Sequence, residues 1–383
     1  MKNKNFRFDT QAIHAGEPRP FIERAIIAPI FQSSTYEYGG EASYNDVRYV
    51  RLNNTPNHTT LAEKLAALEG TETGVVTASG MSAISTALLS VISEGGNLLS
   101  QDCLYGGTHH FLHEQYSQFG RSASFFPIED ISNLKKYLTP KTQGIYVESV
   151  SNPLLKIGDL KAVVAFAKQN GLITLIDNTF PSPYNFNPAH LGFDVVLHSA
   201  TKYINGHSDV AAGAILTSHE LFKKVVPVMN HLGPCLDPHA CFLLNRGLKT
   251  LGVRMRFQNE SAMKLAQALS SVKKVKKVIY PGLESHPDHR LAKELFRGFG
   301  GVVCFEYDGT ASELDAKLHK MILPASAPSL GGVETLMTRP ATTSHSGVPA
   351  AKREQLGVSD SLVRVSVGLE DPEDLIEDFL KVL

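Results

Sequence analysis

The sequence predicts an α/β protein: a mainly parallel central sheet with helices on both faces, followed by a smaller C-terminal α+β domain. Three observations carry this prediction. Short apolar runs (GIYVES at 144–149, LITLID at 172–177, DVVLHS at 194–199 and GAILT at 213–217) alternate with helix-like stretches of about ten to fifteen residues, as βαβ units require. Past Thr250 the order changes to a long helical stretch and then mixed strands and helices. The 383 residues also exceed what one hydrophobic core usually serves, so a large domain with a smaller companion is expected.

Taken in order, residues 1–58 hold scattered Pro and Gly with little periodicity and predict an extended arm lying on another surface, a second subunit being the candidate. A domain over 59–250 follows. Leu61, Leu65 and Leu68 keep helical spacing after a start signal at Thr59-Thr60, and Gly70 supplies a stop. Val75 and Val76 form a short apolar run that breaks at Ser79-Gly80-Met81, after which Ile84, Leu88 and Ile92 recur every four residues: strand, glycine turn, helix. AVVAFAKQNG, at 162–171, reads as a helix stopped by Gly171. A C-terminal domain over 251–383 is led by a helical stretch from His239 toward Ser270. It contains VKKVIYPGL, GVVCFEY and LVRVSVGLE, and it ends in DLIEDFLKVL.

Composition narrows the function. Hydrophobic residues make up 43% of the chain and the formal charge is -1, which suits a packed interior and gives no bias toward nucleic acid or anionic membranes, so a small-molecule partner is favoured. MKNKNFRFD lacks an apolar leader core, and the expected location is cytoplasmic. Cys103, Cys235, Cys241 and Cys304 are scattered without a CxxC pair and read as reduced thiols. His109, His110 and His113 have no carboxylate or cysteine at ligand spacing, so no metal site is expected.

Three groups of residues fall where an open α/β sheet takes its ligand. They are Asp177 at the end of LITLID, Ser199, Thr201 and Lys202 in HSATK, and Ser79, Gly80 and Met81 at a helix start. A cofactor aldehyde needs an amine, and a lysine partly withdrawn from water in a cation-rich pocket keeps a usable neutral form, which makes Lys202 the candidate for a Schiff base. A pyridine ring is an effective electron sink only while its nitrogen stays protonated, which a buried carboxylate such as Asp177 secures. Phosphate prefers helix N-terminal N–H groups with hydroxyls nearby, here Gly80, Met81, Ser199 and Thr201. Singly, Asp177 reads as a turn or cap and Lys202 as a solvated surface lysine. Their coincidence is what points to a cofactor.

At these residues the sequence resembles the Cys/Met-metabolism family of pyridoxal-phosphate enzymes, the group of cystathionine lyases, cystathionine γ-synthases and methionine γ-lyases. RYVRLNNTPN, TASGMSAI, CLYGGTH, ESVSNPLLKIGDL, LIDNTF, HSATKYINGHSD, SLGGVETL and LVRVSVGLED stand in the family's order over nearly the whole chain. The resemblance implies fold type I, pyridoxal 5'-phosphate on Lys202, Tyr105 stacked on the ring and Asp177 at the ring nitrogen. It implies phosphate contacts from Gly80, Met81, Ser199 and Thr201 of one subunit and from Tyr49 and Arg51 of its neighbour. The active unit is then at least a dimer, and the expected assembly a homotetramer. Arg364 is implied as the fork for the substrate α-carboxylate, a task a planar guanidinium suits, with Asn152 and the Ser329 backbone completing the subsite. Lys202 is implied as the proton carrier, with Tyr105 as a second acid or base. Outside this series Tyr105 reads as a core aromatic, Arg364 as a structural ion pair and Tyr49 as an anchor of the arm.

The implied reaction is cleavage of a carbon–sulfur bond, in cystathionine first of all, at the β or the γ side of sulfur. The alternative is γ-replacement on an activated homoserine ester by cysteine or sulfide, and then methionine γ-lyase. Gly107 stands where methionine γ-lyases usually carry cysteine, which lowers that last option. Arg48 is a candidate for the distal charge of a long diacid and Glu334 for a distal ammonium; Arg48 reads equally well as a solvated surface residue. A different class, a serine acylase built on Ser199 and Lys202 as S-x-x-K, lacks its companion K-T-G and S-D-N motifs.

Overall fold

The computed structural model describes residues 6–344, 346–347 and 350–383, so the first five residues of the predicted arm lie outside the described residues. Among the described residues the strands fall into two sheets. The first has seven strands, β1 (Thr73–Thr77), β2 (Asn97–Gln101), β3 (Ser122–Phe126), β4 (Thr142–Glu148), β5 (Ile173–Asp177), β6 (Val195–His198) and β7 (Gly213–Thr217), in the order β1-β7-β6-β5-β4-β2-β3. Strands β2 to β6 are parallel, and β7 is antiparallel to both β1 and β6, so the sheet is mainly parallel as the alternating pattern predicts.

The apolar runs are continuous because both faces are covered. Tyr146, Leu175, Val195, Leu197 and Ile215 enter one core, packed under the helix Gly80–Val91, while Ile145, Val147, Ile176, Val196 and Leu216 enter the other. This is the two-residue alternation of a strand read on two buried faces. The carboxyl ends of β4, β5 and β6 therefore arrive side by side, with Glu148 paired in register to Asp177 and Asp177 to Leu197.

The second sheet holds β8 (Val275–Ile279), β9 (Val302–Tyr307), β10 (Ala325–Ser326), β11 (Leu336–Thr338) and β12 (Leu362–Ser366), in the order β10-β11-β12-β9-β8. Its pairs are antiparallel apart from β10 with β11. The helices Leu251–Ser270 and Pro372–Val382 pack against each other, and the first of them also packs on β8 and β9, enclosing a third core around Phe305, Val363 and Phe379.

Three elements differ from the sequence-based expectation. The helix expected from Thr59 begins at Pro56, because a proline at the first helical position needs no donor and brings its φ preset; Gly70, at φ 80, ends it as expected. The stretch 239–270 is two helices, Pro238–Leu248 and Leu251–Ser270. The guanidinium of Arg254 fills the break, donating to the Gly247 carbonyl (2.8 Å), to Thr250 Oγ1 (3.1 Å) and to the Tyr203 carbonyl (2.7 Å). The arm contains a short helix, Phe8–His14, and is pinned by a buried ion pair in which Lys64 Nζ meets Glu17 Oε1 at 2.9 Å and donates to the Ile13 carbonyl at 3.2 Å. Burial pulls the Lys64 amine down to about 8. It pushes the Glu17 carboxyl up, but Lys64, Asn245 and Lys249 overcome this and leave Glu17 below its ordinary value.

Candidate active site

Lys202 lies in the turn after β6, where Ala200 and Tyr203 are buried and hold the backbone down. Its Nζ donates to Ser329 Oγ at 2.7 Å and so turns toward the second sheet, not toward Ser199. Burial, with the nearby Arg364 charge, pulls the amine down to about 8, which makes it a usable nucleophile near neutrality.

Ser329 belongs to the loop between β10 and β11 and sits at φ 101, a conformation side-chain-bearing residues seldom adopt. It is held from two sides: Lys202 donates to its hydroxyl, and Arg364 Nη2 donates to its carbonyl at 2.8 Å. Two residues on, Gly331 passes so close that a Cβ there would meet the Tyr203 nitrogen at 2.7 Å. Arg364, on β12, is buried and donates its Nη1 to Asn152 Oδ1 at 3.0 Å. Its Nε is buried with no partner, an unused donor in the same cluster. Lys202, Arg364, Asn152 and Ser329 thus meet where the two sheets approach.

Asp177 ends β5. Thr179 donates its N–H to Asp177 Oδ1 at 2.9 Å, and Thr179 Oγ1 accepts the N–H of Ser199 at 2.8 Å, so the ends of β5 and β6 are tied together. Asp177 is ringed by protein atoms, yet part of its surface remains open. Burial raises its carboxyl, with the Thr179 bonds and His198 opposing. A cationic N–H placed on it would restore the anion. Behind it lies a buried polar set on the other face of the sheet: Glu69 Oε1 meets His198 Nε2 at 2.6 Å and accepts from Asn178 Nδ2 at 2.9 Å.

The helix Gly80–Val91 begins with a capping box between Ser79 and Ser82. A Cβ on Gly80 would meet Ser199 Cβ at 2.7 Å, so this helix start and the turn after β6 approach only because residue 80 is glycine. The Thr201 hydroxyl is engaged on both sides by the Ala212 backbone, accepting its N–H at 2.9 Å and donating to its carbonyl at 3.2 Å. Tyr105 precedes the helix Gly106–His110, and its N–H donates to Glu148 Oε1 at 2.6 Å. Tyr105 is 45% exposed, and its ring lies against Gly107, where a Cβ would meet Tyr105 Cε1 at 2.7 Å and Met81 Sδ at 2.9 Å. Tyr105, Met81, Gly80 and Ser199 are thereby linked by close contacts.

Other predicted residues stand apart from this group. Arg51 donates to the Asn230 carbonyl at 2.6 Å and to the Tyr44 hydroxyl at 2.5 Å, and its guanidinium lies 5.6 Å from the Tyr49 ring centroid. Arg48 is exposed, with its guanidinium 5.6 Å from the Tyr36 ring centroid. Glu334 is exposed and accepts from Ser208 Oγ at 3.3 Å. A large cavity of about 1130 Å³ lies elsewhere, under the arm beside Leu52, Asn57, Thr60 and Met229. Glu148, Thr179 and Arg254 were missed from sequence. Thr179 carried a signal, since an aspartate often bonds the backbone two residues on; Glu148 and Arg254 carried none beyond their place in the chain.

A desolvated amine, a buried carboxyl with an open face and a glycine-lined helix start, gathered at the carboxyl ends of parallel strands, fit a pyridine aldehyde phosphate and define a cofactor enzyme of that class. The chain belongs to the Cys/Met metabolism PLP-dependent enzyme family, whose model matches residues 9–383, and its cofactor is pyridoxal 5'-phosphate. It is 39% identical over 381 residues to a cystathionine gamma-lyase of Dictyostelium discoideum, covering 99% of this chain and 98% of the relative. It is 40% identical over 375 residues to a cystathionine beta-lyase of Lactococcus lactis subsp. cremoris, covering 98% of each. The crystal structure of a cystathionine gamma-lyase from Lactobacillus plantarum complexed with L-serine superposes with a TM-score of 0.92 at 34% identity, covering 98% of this chain and 99% of that one.

Proposed function

We propose that this chain is a carbon–sulfur lyase that cleaves cystathionine by β- or γ-elimination, giving a thiol amino acid, a 2-oxo acid and ammonia. The observation that carries the reading is the meeting of Lys202 with the Arg364 cluster: a nucleophilic amine stands beside a buried guanidinium that has a spare donor. Such a pair suits an α-amino acid, with the carboxylate held by Arg364 and the reacting carbon presented to Lys202.

In this proposal Lys202 would hold the cofactor, Asp177 would pair with its ring nitrogen, Tyr105 would cover its ring, and Gly80, Met81, Ser199 and Thr201 would hold its phosphate. When bound, the cofactor supplies an electron sink for the pair left at the substrate α-carbon. Arg364, Asn152 and the Ser329 carbonyl orient the substrate carboxylate. Lys202 Nζ would take the α-proton, and its bond to Ser329 Oγ sets the direction from which it approaches. Tyr105 would donate a proton to the departing sulfur.

The site is shared between subunits in the same proposal, with Tyr49 and Arg51 of the arm reaching a neighbour's phosphate and Arg48 facing its substrate entrance, in a homotetramer of two such dimers. The exposed Ile26 (69%), Ile27 (48%) and Ile30 (40%) on the arm support a subunit contact there. The chain divides accordingly into an arm over 1–58, a cofactor-binding domain over 59–250 and a C-terminal domain over 251–383, and its setting is the cytoplasm.

The test is incubation of the purified protein with cystathionine, methionine, cysteine and an O-acylhomoserine separately, and with the O-acylhomoserine and cysteine together. Pyruvate with homocysteine marks β-cleavage and 2-oxobutyrate with cysteine marks γ-cleavage. Cystathionine built from the ester, with none consumed when it is supplied, would contradict the lyase reading.

A further inference from the structure

We propose that Glu148 is a positioning residue: by accepting the backbone N–H of Tyr105 it sets the Tyr105 ring in register with Asp177. The inference rests on the cofactor-site reading above and adds to it the device that aligns its two ring contacts. Glu148 ends β4 and Asp177 ends β5, and the two are partners on one rung of the parallel ladder, so their side chains leave the sheet on the same face. Glu148 Oε1 takes the Tyr105 N–H at 2.6 Å, and the Glu148 backbone N–H is itself fixed on Gln101 Oε1 of β2 at 3.0 Å. The spacing between the aromatic and the carboxylate is therefore set by one rung of the sheet.

Tyr105 needs such a fixture. The residue is 45% exposed, so packing leaves much of it unsupported, and it is followed by Gly106 and Gly107, which leave the backbone free to choose among many conformations. Gly106 is crowded in turn, since a Cβ there would meet the Ser344 carbonyl at 2.8 Å, so a shift of this turn has little room on that side. Glu148 is 4% exposed and is faced by Asp177, by Tyr146 two residues earlier on the same strand face, and by the turn holding Cys103 and Tyr105. Burial, and then the Asp177 charge, push its carboxyl well above the ordinary range, with the Tyr105 N–H opposing. A neutral carboxyl still accepts a hydrogen bond, so its reach decides its role and its charge does not.

Two substitutions separate reach from charge in the holoenzyme. Glu148→Gln keeps length and acceptor and removes the ionisable group; Glu148→Asp keeps the carboxyl and falls one methylene short of the Tyr105 N–H. The readouts are the visible circular dichroism of the bound cofactor, which reports its asymmetric contacts, and kcat and KM for the preferred substrate. Glu148→Gln is expected within about twofold of wild type, and Glu148→Asp to lose most of the visible signal and about tenfold to a hundredfold in kcat, as for a misplaced reacting group. In a Tyr105→Ala background Glu148→Asp should cost little more.

A wild-type signal in Glu148→Asp, equal impairment of both variants, or additive losses with Tyr105→Ala would overturn the proposal. If Glu148→Asp fails to fold, Glu148→Gln decides: a signal within twofold supports the proposal and a larger loss overturns it. A wild-type protein that takes up no cofactor would overturn the site reading and this inference with it, whereas a normal wild type with an unaffected Glu148→Asp overturns this inference alone.

Discussion

With its amine pulled down to about 8 by burial and by Arg364, Lys202 is neutral in about a tenth of molecules at pH 7. Only the neutral amine attacks an aldehyde. Cofactor capture by the apoprotein is therefore expected to accelerate about tenfold per pH unit below pH 8 and to level off above it, which absorbance growth in buffers from pH 6 to 9 would follow. A rate still climbing past pH 9 would mean an ordinary lysine. At this scale the sequence was most legible inside specific motifs, which hold Asp177 at the end of β5, Lys202 in the turn after β6 and Arg364 in the middle of β12. Glu148 escaped because its role depends on Tyr105, forty-three positions earlier, and a single glutamate at the end of an apolar run carries no periodicity. Arg254 escaped for the same reason: it looked like one polar position on a long helix, and only the break at Lys249 and Thr250 gives it work.

Among the elements, the helix Gly80–Val91 depends on one missing methyl group. Gly80→Ala would force its start away from Ser199, so the apoprotein should melt lower and cofactor affinity should fall by about tenfold or more; unchanged affinity in an equilibrium titration would count against a phosphate site there. The arm's helix Phe8–His14 was invisible in the pattern because seven residues are too few to be stable alone, and it persists through tertiary contacts. Glu17 is one of these. Glu17→Ala strands the Lys64 amine and should cost about 3 kcal/mol in urea unfolding near pH 7. The deficit should shrink as the pH rises through about 8, where Lys64 becomes neutral in the folded protein. A deficit that is constant from pH 6 to 9 would show that the ion pair does not set the arm's attachment.

For the molecule as a whole, the alternation of apolar runs and helices was enough to foresee a mainly parallel sheet and a separate C-terminal sheet, because each strand's burial is written into its own residues. The destination of the arm is written nowhere in one chain: Arg51 meets Tyr44, Asn230 and the Tyr49 ring here, and the proposed targets of Tyr49 and Arg51 belong to a second copy. Subunit mixing tests this. A hybrid dimer of Lys202→Ala and Arg51→Ala chains holds one intact site and one doubly altered site, so a refolded equal mixture of these two weakly active proteins should regain about a quarter of wild-type activity. No regain would place the arm's residues in their own subunit's site.

Whether one particular amine carries the cofactor is decided by chemical trapping. Reducing the holoenzyme with borohydride makes an imine linkage permanent, and peptide mass spectrometry then locates the modified lysine. The account predicts the pyridoxyl adduct on Lys202, and its loss in Lys202→Ala. An adduct on another lysine, or none in a protein that binds the cofactor and turns over substrate, would contradict it.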